Sequence, residues 1–261
     1  MTNQQYLLND VAVVIIGRNE GQRLIHCIES ILTQTNQIVY VDSGSTDDSA
    51  EAAKGLGASV VSLDMQRPFT AARARNAGFE HAISTHPHIQ YIQFVDGDCQ
   101  VFQDWITKAR DFLVADEKVA VVCGRRKEIY PNNSVYNMLC DIEWNTPVGE
   151  AKACGGDALM RVDAIKAIGG YRNDLIAGEE PEMCVRLRAE GWRIWRIDAE
   201  MTMHDANITS FSQWWKRSVR AGYAYAQGAS IHGAPPERHW IAESRRAVLW
   251  AGVLRLLILF L

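Results

Sequence analysis

The sequence predicts an α/β protein with a mostly parallel central sheet flanked by helices, followed by a helical C-terminal region. In the first half of the chain, short β-branched segments alternate with amphipathic ones. This alternation is typical of parallel strands joined by crossover helices. Clusters of Gly, Asp, Ser and Arg follow the apolar segments, at the strand ends where open α/β sheets bind ligands. After residue 210 the alternation stops and Arg and apolar residues dominate.

The first half of the chain reads as strand and helix in turn. Residues 11–16 are continuously apolar, which is typical of a strand buried on both faces. A helix is expected over 21–34, because its spacing places Leu24 and Ile28 on one face. The same reasoning predicts strands at 37–41, 58–63 and 91–95 and helices at 48–56 and 70–84.

The second half is less regular. Residues 130–150 show no periodicity and contain Pro131 and Pro147, so we expect a loop-rich insertion there. The other predicted elements are helices at 105–115, 163–168 and 182–190 and strands at 119–124 and 192–197. The chain therefore divides into one domain over residues 1–210 and a basic helical region over 211–261.

Composition and charge argue against a nucleic-acid partner. The protein has a net charge of −4 and 22% charged residues, whereas a general nucleic-acid binder needs a basic surface. The six cysteines form no CxxC pair. Residues 1–10 lack a basic segment followed by an apolar stretch, so the sequence predicts a cytosolic setting with free thiols.

The C-terminal region combines positive charge with apolar residues. From Trp214 onward, seven Lys and Arg residues stand against two Glu, and an apolar run over 247–261 is interrupted by Arg255. This run is shorter than the roughly 20 residues that span a bilayer. It predicts an interfacial helix at a membrane surface. The alternatives are the start of a spanning helix in a longer chain and a helix packed on the protein body or a second subunit.

Polar clusters follow the first two predicted strands. The segment 17–20 (Gly-Arg-Asn-Glu) follows the first, and Asp42 and Ser43 follow the second. Small residues let the backbone approach a ligand closely, and an Asp can accept hydrogen bonds from a nucleobase or ribose. On the helix before the fourth strand, Arg75 suits a base or diphosphate contact.

Two carboxylates, Asp96 and Asp98, end the fourth predicted strand. Hard oxygen ligands in that position suit Mg²⁺ or Mn²⁺, which bridge to substrate phosphates. The alternative is an Asp-Gly turn whose second carboxylate is solvated.

A second acidic pair, Glu179 and Glu180, lies before Pro181 and the helix expected at 182–190. Negative charge at a helix N-terminus is favourable in itself. A carboxylate in such a loop can also serve as a general base.

Six motifs in order resemble a family 2 glycosyltransferase of the GT-A fold, which is Rossmann-like. The segments and family patterns are 17–20 with PTYNE, 41–47 with VDDGSTD, 74–78 with ARNxG, 94–98 with FLDxD, 168–171 with GGF, and 178–192 with GEDxDLxxRLxxxGY. The resemblance covers residues 10–210. Residues 213–217 only loosely resemble the QxxRW motif of processive synthases, which favours the addition of a single sugar.

The resemblance implies an inverting, metal-dependent hexosyl transfer from a UDP- or GDP-sugar to an acceptor hydroxyl. It implies Mn²⁺ or Mg²⁺ as cofactor and a sugar or lipid-linked acceptor. The setting would be polysaccharide, lipopolysaccharide or glycolipid synthesis at the cytoplasmic face of the cell membrane.

The resemblance also assigns roles to individual residues. The implied roles are donor binding for Gly17, Asn19, Glu20, Asp42, Ser43, Arg75 and Asp96; metal binding for Asp98, Asp96 and His204; catalysis for Glu180, as the base, with Glu179 beside it; and acceptor contact for Gly156, Asp157 and Trp214. Two positions depart from the pattern. Ser43 replaces the second Asp of VDDGSTD, and Glu180 replaces the usual Asp with one more methylene of reach.

Two other functions remain open at this point. A nucleotidyltransferase also uses paired acids and Mg²⁺, but it needs a Gly-rich, basic first loop, and the segment 17–20 is short and acidic. A GT-A-like domain that has lost catalysis and serves in assembly is the non-enzymatic alternative. Its support is the departures at Ser43 and Glu180.

Overall fold

The computed structural model describes the backbone of residues 7–259 and the side chains of residues 7–253. Its first half is a parallel sheet with crossover helices, as the sequence predicts. The strands are β1 (Val11–Gly17), β2 (Ile38–Asp42), β3 (Ser59–Ser62) and β4 (Tyr91–Asp96), and the helices are α1 (Gln22–Leu32), α2 (Ser49–Gly55) and α3 (Ala71–Thr85). These strands pair in parallel in the order β3-β2-β1-β4.

The second half extends the sheet with mixed pairing. The remaining elements are β5 (Cys99–Val101), α4 (Trp105–Ala115), β6 (Val119–Glu128), α5 (Val135–Glu143), β7 (Gly149–Ala151), β8 (Ala158–Arg161), α6 (Val162–Ala167), α7 (Glu179–Ala189), β9 (Arg193–His204), α8 (Phe211–His232) and α9 (Ile241–Leu259). The sheet order is β3-β2-β1-β4-β8-β6-β9-β5, and β7 pairs with β9. Strand β8 is antiparallel to both β4 and β6, so the sheet is mostly but not wholly parallel.

Three element predictions were wrong. The expected loop over 130–150 contains α5, whose first turn is capped by the Ser134 hydroxyl, which accepts from the Asn137 N–H (3.0 Å). The helix expected from 182 begins at Glu179, because Pro181 is tolerated in a first turn, where N–H groups have no helical partner. The strand expected to end at 197 continues to His204.

Helix α3 packs closely on the sheet because it carries a glycine at the contact. A Cβ on Gly78 would lie 2.4 Å from Cγ1 of Val14 and 2.8 Å from Cγ2 of Val41. Val14 and Val41 are fully buried strand residues. Any larger residue here would push α3, and with it Arg75, away from the strand ends.

A local cap and one long-range contact define the two ends of helix α8. Ser210 and Gln213 form a capping box at the start of α8. His232 is the last residue of α8, and its Nε2 lies 2.9 Å from the buried carboxylate of Glu182 in α7.

None of the helices within residues 7–259 is both long enough and apolar enough to cross a bilayer. The apolar run over 247–261 belongs partly to α9. Its side chains from residue 254, and residues 260–261 altogether, lie outside the described part of the chain.

We predict that Gly78→Ala lowers the free energy of unfolding by about 1–3 kcal/mol, because the new methyl group overpacks the contact between α3 and the sheet. The matched control is Gly55→Ala in α2, where a Cβ meets no atom within 4 Å. The control should leave stability unchanged or raise it by up to about 1 kcal/mol. Urea denaturation measures both, and equal stabilities for the two variants would contradict the packing argument.

Candidate active site

A cleft opens where the carboxyl ends of β1, β2 and β4 meet. The strand register places Gly17 beside Asp42 and Ile16 beside Asp96. The Gly97 N–H donates to the Ile16 carbonyl oxygen at 2.8 Å, which fixes the start of the Asp96–Asp98 turn. The cleft has a volume of about 640 Å³ and is closed by the first turn of α7 and one face of α8. The predicted clusters at Gly17, Asp42 and Asp96 therefore meet at one edge of the sheet.

The centre of the cleft is an ion cluster around Arg75 of α3. Its Nη1 lies 2.8 Å from Oε1 of Glu179 and 2.9 Å from Oε1 of Glu180, and its Nη2 lies 2.8 Å from Oδ1 of Asp96. The Arg75 side chain is only 3% exposed. Arg75 was expected to reach a base or phosphate; in this structure it binds the acidic residues of the cleft.

Glu180 carries a carboxyl group that is poised to exchange a proton near neutral pH. Burial raises its pKa, Arg75 lowers it, and the neighbouring Glu179 and Asp96 raise it again, with a result of about 7. A general base works best when its pKa lies near the operating pH. The pKa of Glu180 is therefore in the range that such a role needs.

The backbone of Gly156 packs directly against the ion cluster. A Cβ here would lie 2.7 Å from Nη2 of Arg75, 3.0 Å from Oδ2 of Asp96 and 3.3 Å from Oε1 of Glu180. Only a residue without a side chain fits against these three groups as they stand. Gly156 lines the cleft, as an acceptor contact would require.

Asp98 and His204 form a second group beside the cluster. The short strand β5 pairs with β9 so that Cys99 stands opposite His204, and this brings Asp98 Oδ2 to 3.4 Å from His204 Nε2. Burial alone would raise the pKa of Asp98. The hydrogen bond and charge of His204, together with nearby arginines, outweigh burial and hold this pKa below its usual value.

These residues fit a divalent cation. Carboxylate oxygens and an imidazole nitrogen are ligands that suit Mn²⁺, and ligand atoms of Asp98, Cys99 and His204 lie within 4.8 Å of one another. The buried Nδ1 of His204 has no hydrogen-bond partner among the described residues. Burial raises the pKa of the Cys99 thiol well above its usual value, so Cys99 stays neutral and is a poor ligand for a hard ion. Asp98, His204 and the adjacent Asp96 are the residues that would hold the ion.

The first two loops form one hydrogen-bonded unit. The Asn19 side-chain oxygen accepts from the Thr46 N–H at 2.7 Å, and the Asn19 N–H donates to the Ser45 hydroxyl at 2.9 Å. Asp42 Oδ2 accepts from the N–H groups of Gly44 (3.1 Å) and Ser45 (3.0 Å). Asn19 and Asp42 thus shape the rim of the cleft.

Three other predicted donor residues, Gly17, Glu20 and Ser43, line the cleft itself. Ser43 is 1% exposed, and its hydroxyl has no hydrogen-bond partner among the described residues. It therefore keeps a free donor and acceptor for a ligand at the point where the family pattern has a carboxylate.

Two predicted acceptor residues do not reach the cleft in this structure. Asp157 is fully buried; it accepts hydrogen bonds from the Thr202 hydroxyl (2.7 Å) and the Asp96 N–H (3.3 Å) and pairs with Arg126 (2.8 Å). It positions Asp96 and has no surface for an acceptor. Trp214 stacks on Tyr136 with ring centroids 6.1 Å apart, outside the cleft.

The sequence analysis did not predict one wall of the cleft. It consists of Arg217, Arg220, Ala224 and Tyr225 of α8, and Trp240 just before α9. The first three positions recur at helical spacing, so the sequence does place them on one face. That this face turns toward the cleft depends on how α8 packs back onto α7.

The fold and this acidic cleft define a glycosyltransferase of the GT-A class. Residues 12–169, more than half of the chain, match the model of glycosyl transferase family 2. The chain belongs to this family. This result disfavours the nucleotidyltransferase alternative.

Curated relatives point the same way. The succinoglycan biosynthesis protein ExoA of Rhizobium meliloti (strain 1021) is 28% identical over 213 residues, which is 76% of this chain and 64% of ExoA. The uncharacterized glycosyltransferase YibD of Escherichia coli (strain K12) is 36% identical over 121 residues, which is 44% of this chain and 34% of YibD. The chain thus spans less than two thirds of the length of either relative.

Solved structures support the fold. The mannosyltransferase PcManGT from Pyrobaculum calidifontis, in complex with GDP-Man and Mn²⁺, matches 90% of this chain and 69% of its own, with a TM-score of 0.67 and 18% identity. A glucosyl-3-phosphoglycerate synthase from Mycobacterium tuberculosis, with Mn²⁺, UDP-glucose and phosphoglyceric acid, matches 84% of this chain and 79% of its own (TM-score 0.60, 16% identity). At these identities the likeness shows the fold alone.

We predict that transfer is lost as pH falls through about 7, because Glu180 must be deprotonated to accept a proton and its pKa is raised to about 7. Glu180→Gln should lower kcat by roughly 10²–10⁴ above pH 7, and the difference from the wild type should shrink as pH falls. Release of the nucleoside diphosphate, followed across a pH series, measures both. The exposed Glu117→Gln is the control and should keep the wild-type profile. Full turnover in Glu180→Gln would show that another group is the base.

We also predict that Asp98→Ala and His204→Ala each weaken Mn²⁺-dependent binding of UDP or GDP at least about tenfold, or ~1.4 kcal/mol. Both residues offer ligand atoms to the same ion, so each loss should disappear when Mn²⁺ is omitted. Calorimetric titration with and without Mn²⁺ measures this difference. Glu180→Gln should bind the nucleotide like the wild type, and a loss as large as that of Asp98→Ala would contradict the separate roles.

Proposed function

We propose that this protein transfers a single hexosyl unit, with inversion, from a nucleotide-diphosphate sugar to an acceptor hydroxyl. The observation that carries this proposal is the Glu180 carboxyl group, bound to Arg75 beside Asp96 in a cleft at the strand ends. A base of matched acidity next to a cation and phosphate site is the arrangement that glycosyl transfer requires.

The residues divide the work as follows. Glu180 accepts the proton of the acceptor hydroxyl while the acceptor oxygen bonds to the anomeric carbon of the sugar. The bond from that carbon to the diphosphate oxygen breaks on the opposite face, so the configuration inverts. Asp98, His204 and Asp96 would hold the divalent cation, Mn²⁺ or Mg²⁺. When bound, this ion supplies positive charge that stabilises the diphosphate leaving group.

The donor side is assigned to the two joined loops. Glu20 and Ser43 face the cleft, and Asn19 and Asp42 hold the loops in shape. A UDP- or GDP-sugar is the proposed donor, supported by the UDP-glucose and GDP-Man complexes of the structural neighbours.

The acceptor side is assigned to the α8 wall. Arg217, Arg220, Tyr225 and Trp240 line the same cleft as the carboxylate cluster. Arginines and aromatic rings suit a sugar that carries a phosphate or other anionic group. The role of ExoA in succinoglycan biosynthesis supports an acceptor in polysaccharide synthesis. We place the reaction at the cytoplasmic face of the cell membrane, on a sugar or lipid-linked acceptor.

A panel of UDP- and GDP-sugars with Mn²⁺ tests the proposal. We expect slow hydrolysis of one or a few donors by the wild type, because water can take the place of the acceptor, and no hydrolysis by Glu180→Gln or Asp98→Ala. Release of UDP or GDP is the measurement. If no donor is bound or hydrolysed, the alternative of a domain that has lost catalysis and serves in assembly becomes the better explanation.

A further inference from the structure

Helix α8 has two contrasting faces, and only one of them belongs to the cleft. Phe211, Trp215, Val219 and Tyr223 follow one another at intervals of four residues, which keeps them on one side of the helix. Their exposed fractions are 61%, 56%, 47% and 64%. They form a row about 18 Å long at 1.5 Å per residue. We call this row the outer face of α8.

The outer face lies opposite the cleft wall. At 100° per residue, Phe211 to Tyr223 cover an arc of about 120°, whereas Arg217 and Ala221 project from the other side of the helix. These two residues line the cleft. Packing of α8 on the domain therefore accounts for one side of the helix and leaves the aromatic side unexplained.

Helix α5 adds a second exposed apolar row beside α8. Val135, Met138, Leu139 and Ile142 recur at helical spacing and are 43–63% exposed. The two helices are joined by the ion pair of Arg217 with Glu143 (2.9 Å) and by the stacking of Trp214 on Tyr136. Trp214 and Arg217 lie on the side of α8 away from the outer face, so the α5 row is a separate exposed surface. An exposed apolar row such as the outer face marks an interaction site in proteins.

The charge of the region indicates the partner. The protein has a net charge of −4, yet residues 211–261 hold seven Lys and Arg and two Glu. Lys216, Arg245 and Arg246 are exposed. Trp, Phe and Tyr beside basic residues are typical of helices that lie in the interface of an anionic membrane. Pairing with a second copy would bring two basic surfaces together, which is unfavourable.

We propose that the outer face of α8 docks on the surface of an anionic phospholipid bilayer. The helix then lies in the membrane interface, and the cleft on its other side stays in water close to the lipid headgroups. Docking itself does not require the transfer reaction. Its use for a lipid-linked acceptor rests on the proposed function.

Sedimentation of the full chain with lipid vesicles tests the docking. We expect binding to phosphatidylcholine vesicles that contain phosphatidylglycerol, little binding to phosphatidylcholine alone, and weaker binding as salt rises. The double variant Trp215→Ser, Val219→Ser should bind at least about tenfold more weakly, because it removes the centre of the apolar row. The control is Val114→Ser in α4, which is 52% exposed on another helix and should bind like the wild type.

Other outcomes would overturn the proposal. Wild-type binding by the double variant would assign any membrane affinity to α9 and the residues after it. Absence of vesicle binding by the wild type would exclude a lipid partner for this face. A dimer that the double variant separates, without vesicle binding, would make the face an interface between two copies. Nucleotide binding by the double variant should match the wild type, so a failure of docking is distinguishable from a failure of the proposed function.

Discussion

The buried guanidinium of Arg75 is the interaction on which the cleft depends. A charge with only 3% exposure is tolerated when charged partners compensate it, and removal of such a partner costs several kcal/mol. Arg75 finds these partners in Asp96, at the end of β4, and in Glu179 and Glu180, in the first turn of α7. One side chain thereby joins three elements that are far apart in the sequence. The close packing at Gly78 holds α3 near enough to the sheet for this contact.

The charge of this cluster is not balanced within the protein. Arg75 faces three carboxylates, and Asp98 lies two residues beyond Asp96. A second guanidinium, that of Arg126, lies 3.8 Å from Asp96 but pairs more closely with Asp157, at 2.8 Å. Like charges at short range disfavour one another's ionisation, and this adds to burial in raising the pKa of Glu180. The imbalance also explains why the site is suited to a cation. Positive charge added beside Asp96 and Asp98 would relieve the repulsion and favour the deprotonated form of Glu180. In the proposed reaction, cation binding at the donor site and deprotonation of Glu180 would then be two consequences of one electrostatic arrangement.

The sequence predicts the parts of the fold that local chemistry determines. β1, β2 and β4 are continuous apolar runs that end in polar residues, so their positions, and the meeting of Gly17, Asp42 and Asp96, could be inferred. Helix α5 was not predicted. Its apolar residues are exposed, so they do not form the core-facing stripe by which a helix is usually recognised in a sequence. The short antiparallel strands were missed because β8 owes its place to pairing with distant strands. Asp157 was misjudged for the same reason, since its burial follows from Arg126 and Thr202. The cleft wall formed by α8 could not be predicted either, because its position depends on the long-range contact of His232 with Glu182.

Helix α8 links the chemistry of the cleft to the outside of the molecule. The Ser210–Gln213 capping box defines where α8 begins, and at its other end His232 contacts Glu182 of α7. α7 also carries Glu180. In the proposed reaction, a surface that binds the outer side of α8 also influences the position of Glu180 and of the cleft wall, because α8 contacts α7 through His232. The proposed acceptor would then enter from a direction that depends on the partner of α8 as well as on the shape of the cleft. A single helix thus provides both an apolar outer face for a partner and, through Arg217, part of the cleft wall.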